Sequence, residues 1–486
     1  MKVLVMGLGL HGGGLECARF LRDRGAELTI TDLRDEKTLA PSIESLESGG
    51  AGFAPARYVL GRHEMADFQG ADLVIKNPGV RPDSPFLKAA PRIETDISLF
   101  LNEAPARIVA VTGSKGKSSA SSAIFWALDR AYKAGGERRA FLGGNIAVSP
   151  LSFLGELRET DDVVLELSSW QLGDLRGRRK TREGRELPLL KPKAAVLTAI
   201  FPDHQDFYGG MEPYVADKRV IYEGQDQSDA TIAWDDGWGK SFLAESRAAG
   251  LVCSSAPLAE GANGGWLESA EGPGLARLSG PVAAGLFGRR ASSEPSVIEE
   301  IVPARLLIPG RHQKRNLLAS GLALLALGLR PEEIRAGFET FAGIEHRMEM
   351  FRSSGGIHFY NDSAATIPEA AAQAVEALAA LGGLVLVTGG TDKNLDFLPL
   401  ARAAERAKAV ALLAGTGSEK LRALLDAAGV AYLGPFDSID AAAAAAIAAA
   451  ASGDSVALSP GCASFGMFLN EFDRGRKWKA AISRLA

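Results

Sequence analysis

The chain has 486 residues, 46% of them hydrophobic, and a formal net charge of −5. At about 150 residues per domain this length predicts three domains, and the lack of a basic surplus argues against nucleic acid or an anionic membrane as a partner. Cys17, Cys253 and Cys462 are too scattered for a disulfide framework or a zinc site, the glycine-interrupted N-terminus does not read as a signal peptide, and no run approaches the roughly 18 apolar residues of a membrane span; a cytoplasmic protein is expected.

Lys2 to Met6 reads as a short apolar strand, followed by Gly7-Leu-Gly-Leu-His-Gly12 and a helix through Glu16, Cys17, Phe20 and Leu21. A second strand, Ala26 to Thr31, ends at Asp32. The G-x-G-x-x-G spacing, with an acid about 20 residues later, is the pattern of a dinucleotide-binding turn. It points to a nucleotide without saying which, and an NAD-dependent oxidoreductase is one reading. Glycine also serves close packing, so a turn without ligand is another. Ala71 to Ile75 is a further strand leading into the turn Asn77-Pro-Gly-Val80. Ala104-Pro-Ala-Arg107 reads as a linker and places a first boundary near residue 105.

The next stretch, Val109-Ala-Val-Thr-Gly-Ser-Lys-Gly-Lys-Ser-Ser119, reads as a buried strand, a glycine loop and a helix start. Ala120, Ala123, Ile124, Ala127 and Leu128 follow at the spacing of one apolar stripe. Gly113 and Gly116 let backbone N–H groups turn toward an anion, and the helix N-terminus adds partial positive charge. Lys117 offers a cation to β- and γ-phosphates and Ser118 a hydroxyl to magnesium. The motif is short, G-x-x-G-K-S rather than G-x-x-x-x-G-K-[ST], because Val111 stands where the first glycine belongs. A plain glycine turn with a solvated lysine is the alternative.

Asp162 to Ser169 reads as a strand in which Glu166 interrupts an apolar run, so that it is either a magnesium ligand or a paired or solvent-facing acid. After a strand from Ala195 to Ile200, Asp203, His204 and Asp206 crowd one loop, in the position where open α/β sheets bind ligands. Tyr214 and Lys218 lie at i, i+4 on a helix, with Lys218 by default solvated. Ser241 to Ile301 reads as peripheral decoration with strand-like pieces at 251–253 and 275–278, and Trp266 as a packing residue. Pro309-Gly-Arg-His-Gln-Lys-Arg-Asn316 reads as a basic loop before a helix from Leu317 to Leu327, a second helix follows Pro331 to Ala342, and a boundary falls near 343.

The last region repeats the α/β pattern. Strands are expected at Ile357–Tyr360, Gly383–Thr388, Ala409–Leu413 and Ser455–Leu458, with helices at Pro368–Leu381, from Ser418, and across the alanine run 441–451. Cys462 reads as a small buried thiol rather than a nucleophile.

Together these segments resemble the Mur ligase family, most closely its glutamate-adding branch. The resemblance runs along nearly the whole chain and rests on Thr112-Gly-Ser-Lys-Gly-Lys-Ser118, Leu165-Glu-Leu-Ser-Ser169, Asp203-His-Gln-Asp206, Tyr214 with Lys218, His346-Arg347, Asn361-Asp-Ser363 and Ser459-Pro-Gly-Cys-Ala-Ser464. It implies an α/β protein of three domains: a Rossmann-like domain for a UDP sugar (1–105), a central P-loop ATPase-type domain with a mainly parallel sheet (106–342), and a C-terminal Rossmann-like domain for the amino acid (343–486). It implies ATP-dependent amide formation, in which UDP-N-acetylmuramoyl-L-alanine is phosphorylated on its carboxylate and glutamate, in the D form, attacks the acyl phosphate. A cytoplasmic monomer of peptidoglycan precursor synthesis is expected.

By this resemblance Gly113, Ser114, Lys115, Gly116, Lys117, Ser118, Ser119, Asn316, Arg347 and Asp362 meet ATP. Ser118, Glu166, His204 and a carbamylated Lys218 hold one or two Mg2+ ions, and Lys117, Glu166, His204 and Lys218 are the catalytic set. Leu10, His11, Asp32 and Arg34 lie where the family holds UDP, and Asn145 where it meets the muramoyl part. Thr366, Lys393, Ser464, Phe465 and Phe472 fall at the glutamate site, with Lys393 a counter-charge to a carboxylate. Four residues depart from the family pattern. Lys115 and Ala199 each replace an Asn, Ala364 replaces a Lys, and Phe465 replaces a Leu. Rival readings are a related ligase for L-glutamate or another amino acid, a folylpolyglutamate synthase, the oxidoreductase, and a non-catalytic ATP-gated binding protein.

Overall fold

The computed structural model describes residues 1–9, 13–48, 55–146, 148–177, 188–269, 272–279 and 297–486. Three sheets organise them. The first has five parallel strands in the order Arg57–Leu60, Glu27–Asp32, Lys2–Met6, Leu73–Lys76, Ile93–Glu94. In the second, nine strands run Val297–Val302, Gly274–Leu278, Gly264–Leu267, Ala249–Ser254, Ala230–Trp234, Ala194–Leu197, Arg107–Thr112, Asp162–Glu166, Ala140–Gly144. Its first two pairings are antiparallel and the rest parallel. The third has six strands, with Glu349–Ser354 antiparallel at one edge of an otherwise parallel set. Mainly parallel sheets need helical crossovers, which explains the strand–helix alternation of the sequence.

The described residues divide into two compact units, 1–302 with 315–337, and 303–314 with 338–486. The first contains the five- and nine-stranded sheets, and the second contains the six-stranded one. In the nine-stranded sheet Val109, Ala110 and Val111 are fully buried, as are Ala120, Ala123, Ile124, Ala127 and Leu128 along one side of the helix Lys117–Gly135. Burial on that apolar stripe holds the helix with its N-terminus at the strand end. No helix among the described residues is long and apolar enough to cross a membrane.

Several sequence expectations change. Residues 241–301 are not peripheral decoration, because four of their strands extend the central sheet. Their apolar rhythm is hidden by glycine: a Cβ on Gly265 would stand 2.7 Å from the Leu275 carbonyl oxygen and 2.9 Å from Leu318. Trp266 is buried, as a packing residue should be. The strand expected to reach Ser169 stops at Glu166, and Ser168 with Gln171 forms a capping box for the helix Ser169–Leu175. The basic stretch before Leu317 is not a loop, since the helix begins at Arg311. Arg, Gln and Lys are good helix formers. The strands Arg57–Leu60, Ala230–Trp234 and Tyr432–Phe436 were not expected. Gly265→Ala should lower stability by about 1–3 kcal/mol through overpacking, read as a lower urea midpoint with an unchanged slope.

Candidate active site

The strand Arg107–Thr112 opens into a loop whose shape depends on Gly113 and Gly116, at φ 150° and 92°. A Cβ on Gly116 would collide with the Asn316 amide, so this glycine and Asn316 are in contact. The loop is pinned through its main chain. Ala199 accepts from the N–H groups of Ser114 (2.8 Å) and Lys115 (3.3 Å), and Thr198 Oγ1 donates to the Lys115 carbonyl at 2.7 Å. The Ser114 hydroxyl accepts from Phe201 N–H at 2.9 Å and lies 2.8 Å from both the Phe201 carbonyl and the Tyr214 hydroxyl. Ser114 therefore spends its polar groups on the protein. Lys117 Nζ donates to the carbonyls of Gly113 (2.9 Å) and Ser114 (3.1 Å) and folds over the loop. Lys115 is exposed, and Ser118 and Ser119 occupy the first helical turn. N–H groups there have no intrahelical acceptor.

Two buried ionisable groups flank this loop, Glu166 from the sheet and Lys218 from the helix Met211–Arg219. Glu166 pairs in register with Val111 and is 1% exposed. Its Oε1 accepts from Asn145 Nδ2 at 3.0 Å, while Oε2 is buried without a hydrogen-bond partner. An orphaned buried carboxylate oxygen is costly unless a cation meets it, so these residues fit a metal ion. Lys218 is not solvated but 1% exposed, with Nζ 3.0 Å from the Gly113 carbonyl and 4.5 Å from the centre of the Tyr214 ring. Burial, reinforced by the charge of Lys117, pushes its amine down to about 7. His204 stands at φ 52° with its ring 4.6 Å from that of Trp170, and Nε2 lies 3.9 Å from Asp203. The loop Gly113–Ser118, Asn145, Glu166, Lys218 and Asn316 thus share one neighbourhood, and the His204 ring packs on Trp170 of the helix that follows Glu166.

At the end of the strand Glu27–Asp32, Asp32 Oδ2 accepts from Gly9 N–H at 3.3 Å and Oδ1 from Arg34 N–H at 3.0 Å. The Arg34 guanidinium is 4.0 Å away. Leu10 and His11 lie outside the described residues.

The second unit gathers the remaining candidates. Asp362 is buried, accepting from Met348 N–H (3.0 Å) and the Ser459 hydroxyl (2.6 Å), and burial raises its carboxyl to about 7. Arg347 is exposed and its charge opposes that rise. Thr391 and Ala463 exchange backbone hydrogen bonds of 3.1 and 3.0 Å, which sets the Lys393 loop beside the Ser464 loop. Phe465 is 61% and Phe472 43% exposed, the latter ring 5.5 Å from His346. Thr366 is half-buried. Cys462 is a buried thiol, raised to about 12 by burial.

Sequence reasoning missed Arg474. It is fully buried and donates to the Ser363 hydroxyl (3.0 Å), the Ser363 carbonyl (2.8 Å) and the Cys462 carbonyl (3.1 Å), tying together the loops of Asp362 and Ser464. In sequence it reads as one more helix arginine, and its only signal is the i, i+4 spacing to buried Trp478.

Comparison with known proteins bears on this architecture. Residues 1–98 match the model of the Mur ligase MurD-like N-terminal domain, 111–324 that of the Mur ligase middle domain, and 346–462 that of the Mur ligase glutamate ligase domain. A relative from Treponema pallidum named UDP-N-acetylmuramoylalanine–D-glutamate ligase is 39% identical, over 99% of this chain and 97% of its own. The chain belongs to the Mur ligase family. A ligase of the same printed name from Roseiflexus sp. is 37% identical over 99% of this chain and 98% of that one. Among solved structures, the fold is similar to UDP-N-acetylmuramate-alanine ligase MurC from Thermotoga maritima (TM-score 0.56, 16% identity, 100% of this chain and 99% of that one). It is also similar to MurF from Acinetobacter baumannii (TM-score 0.57, 14% identity, 99% and 93%). As a Mur ligase the chain is an ATP-dependent amide ligase that forms ADP, which sets aside the oxidoreductase and the non-catalytic binding protein. Arg474→Ala should cost about 3–5 kcal/mol by leaving buried carbonyls unpaired, measured as a lower denaturant midpoint.

Proposed function

We propose that this ligase joins D-glutamate to UDP-N-acetylmuramoyl-L-alanine in cytoplasmic peptidoglycan precursor synthesis. The observation that carries the reading is the pair of buried groups beside the phosphate loop, Glu166 with an unpartnered oxygen and Lys218 held near neutrality. The full-length likeness to relatives named for D-glutamate supports the choice of amino acid.

A carboxylate is a poor electrophile, and phosphorylation gives it a leaving group. One alanyl carboxylate oxygen takes the γ-phosphoryl of ATP and ADP departs. The glutamate amine then attacks the acyl carbon, inorganic phosphate leaves with that oxygen, and the amine loses a proton. Positioning and charge neutralisation dominate such a transfer. Lys117 moves from its own loop carbonyls to the β- and γ-phosphates, and the first-turn N–H groups of the helix face the same anions. Asn316, Arg347 and Asp362 contribute the remaining ATP contacts. Ser118, Glu166 and His204 would hold Mg2+, as one ion or two, which supplies charge neutralisation on the transferred phosphoryl.

Lys218 joins that set as a carbamate. Its amine reacts with CO2, releasing a proton and gaining a carboxylate-like head. An amine near 7 has the lone pair this needs. The new anion also turns the repulsion from Lys117 into attraction.

Residues 1–105, with Leu10, His11, Asp32 and Arg34, take the UDP part, and Asn145 meets the muramoyl part in the ATP-binding region 106–342. Residues 343–486, with Thr366, Lys393, Ser464, Phe465 and Phe472, take glutamate. The chain acts as a monomer, without membrane or nucleic acid.

In an omission assay, phosphate release should require ATP, the UDP-linked acceptor and D-glutamate together, with L-glutamate inactive. Phosphate release that needs neither acceptor nor amino acid would overturn the reading. Lys117→Ala should cut turnover by about a thousandfold. A second expectation concerns pH. At fixed dissolved CO2, activation of CO2-depleted enzyme should increase as the pH climbs through about 7 and Lys218 loses its proton, and Lys218→Arg should show no such activation.

A further inference from the structure

Lys76 is the last residue of the strand Leu73–Lys76 in the five-stranded sheet, and its side chain is 3% exposed. A buried lysine at a strand end needs a partner. It finds one on another layer: Nζ lies 2.7 Å from Asp174 Oδ2, itself 11% exposed, in the helix Ser169–Leu175 that follows Glu166. That helix also carries Trp170, on whose ring His204 rests. On the opposite side, the residue after Lys76 holds the glycine loop, with Asn77 Nδ2 donating to the Gly7 carbonyl at 3.3 Å. Asp96, buried against the first turn of the helix Gly13–Arg22, feels the charge of both Lys76 and Asp174. A second contact runs parallel to the pair, the Arg81 guanidinium lying 4.9 Å over the ring of Phe207, in the segment after His204.

We propose that the Lys76–Asp174 ion pair is a positioning device that fixes the spacing between the glycine loop of the first sheet and the phosphate loop of the second. A substrate anchored by its nucleotide at the first then presents its carboxylate at the second without searching for it. A buried ion pair suits this task better than apolar contact. It gains little net stability, but it is directional and admits one register. The inference rests on the reading that a UDP-linked carboxylate spans these two loops.

The test separates binding at each end from delivery between them. Lys76→Met removes the charge at nearly constant volume. Asp174→Asn keeps an oxygen acceptor for Nζ and with it a folded chain, so it decides the matter if the first variant does not fold. The kcat/KM for the full UDP-linked acceptor should fall about tenfold or more in Lys76→Met and about threefold in Asp174→Asn. The dissociation constants of UDP alone and of ADP should each stay within about twofold of the parent, since each ligand occupies only one loop. An unchanged kcat/KM in both variants would overturn the proposal. So would losses in the separate UDP and ADP affinities that match the loss in kcat/KM, because these mark a general structural role. A parent enzyme that forms no amide with the acceptor and D-glutamate would instead remove the functional reading, and the proposal with it.

Discussion

Lys218 holds its amine 3.0 Å from the Gly113 carbonyl and within reach of the charge on Lys117, and the neighbouring structure is arranged around that placement. Setting an amine there favours its neutral form by roughly 5 kcal/mol relative to lysine in water. Buried Tyr214 and Val215 anchor the helix Met211–Arg219 that carries it. Tyr214 serves twice, placing its ring beside the Lys218 amine and its hydroxyl on Ser114. One aromatic residue thus touches both the loop that would receive phosphate and the lysine beside it.

The second unit handles charge differently. Asp362 and Arg474 are both buried, and each is held by hydrogen bonds to neutral groups rather than by a direct ion pair. Burial raises the carboxyl and lowers the guanidinium to about 10. Asp362 accepts from neutral donors and Arg474 donates to neutral acceptors, so each ties loops together without a counter-charge in direct contact. The Asn361–Ser363 and Ser459–Ser464 segments are buried, while Phe465, Phe472, Arg347 and Lys393 stay on the surface of their unit.

Much of this was legible in the sequence, for identifiable reasons. Strand–glycine loop–helix units have local signatures, so the turn at Gly113 to Gly116 and the buried stripe from Ala120 to Leu128 could be read from spacing alone. The alanine run was equally plain as a helix, Ile439–Ala449. What spacing could not show is which polar residues are buried. Lys218, Lys76 and Arg474 each look like surface cations and lie inside, because their partners come from segments 105, 98 and 111 residues away. At the edge of the nine-stranded sheet the pieces at 251–253 and 275–278 were read, while Gly264–Leu267 and Val297–Val302 were not. Glycine there answers to a neighbouring strand and a helix packed across it, which leaves no apolar rhythm in the sequence.

The bridge between Lys115 and Ala199 has a consequence for how such a site drifts over time. Both residues depart from the family pattern, and they sit opposite one another, joined by main-chain atoms. A contact of this sort depends on where the chain runs and is indifferent to which side chains hang from it. Substitution at either position leaves that contact in place as long as the backbone keeps its course. Ordered regions can be permissive where the backbone does the holding.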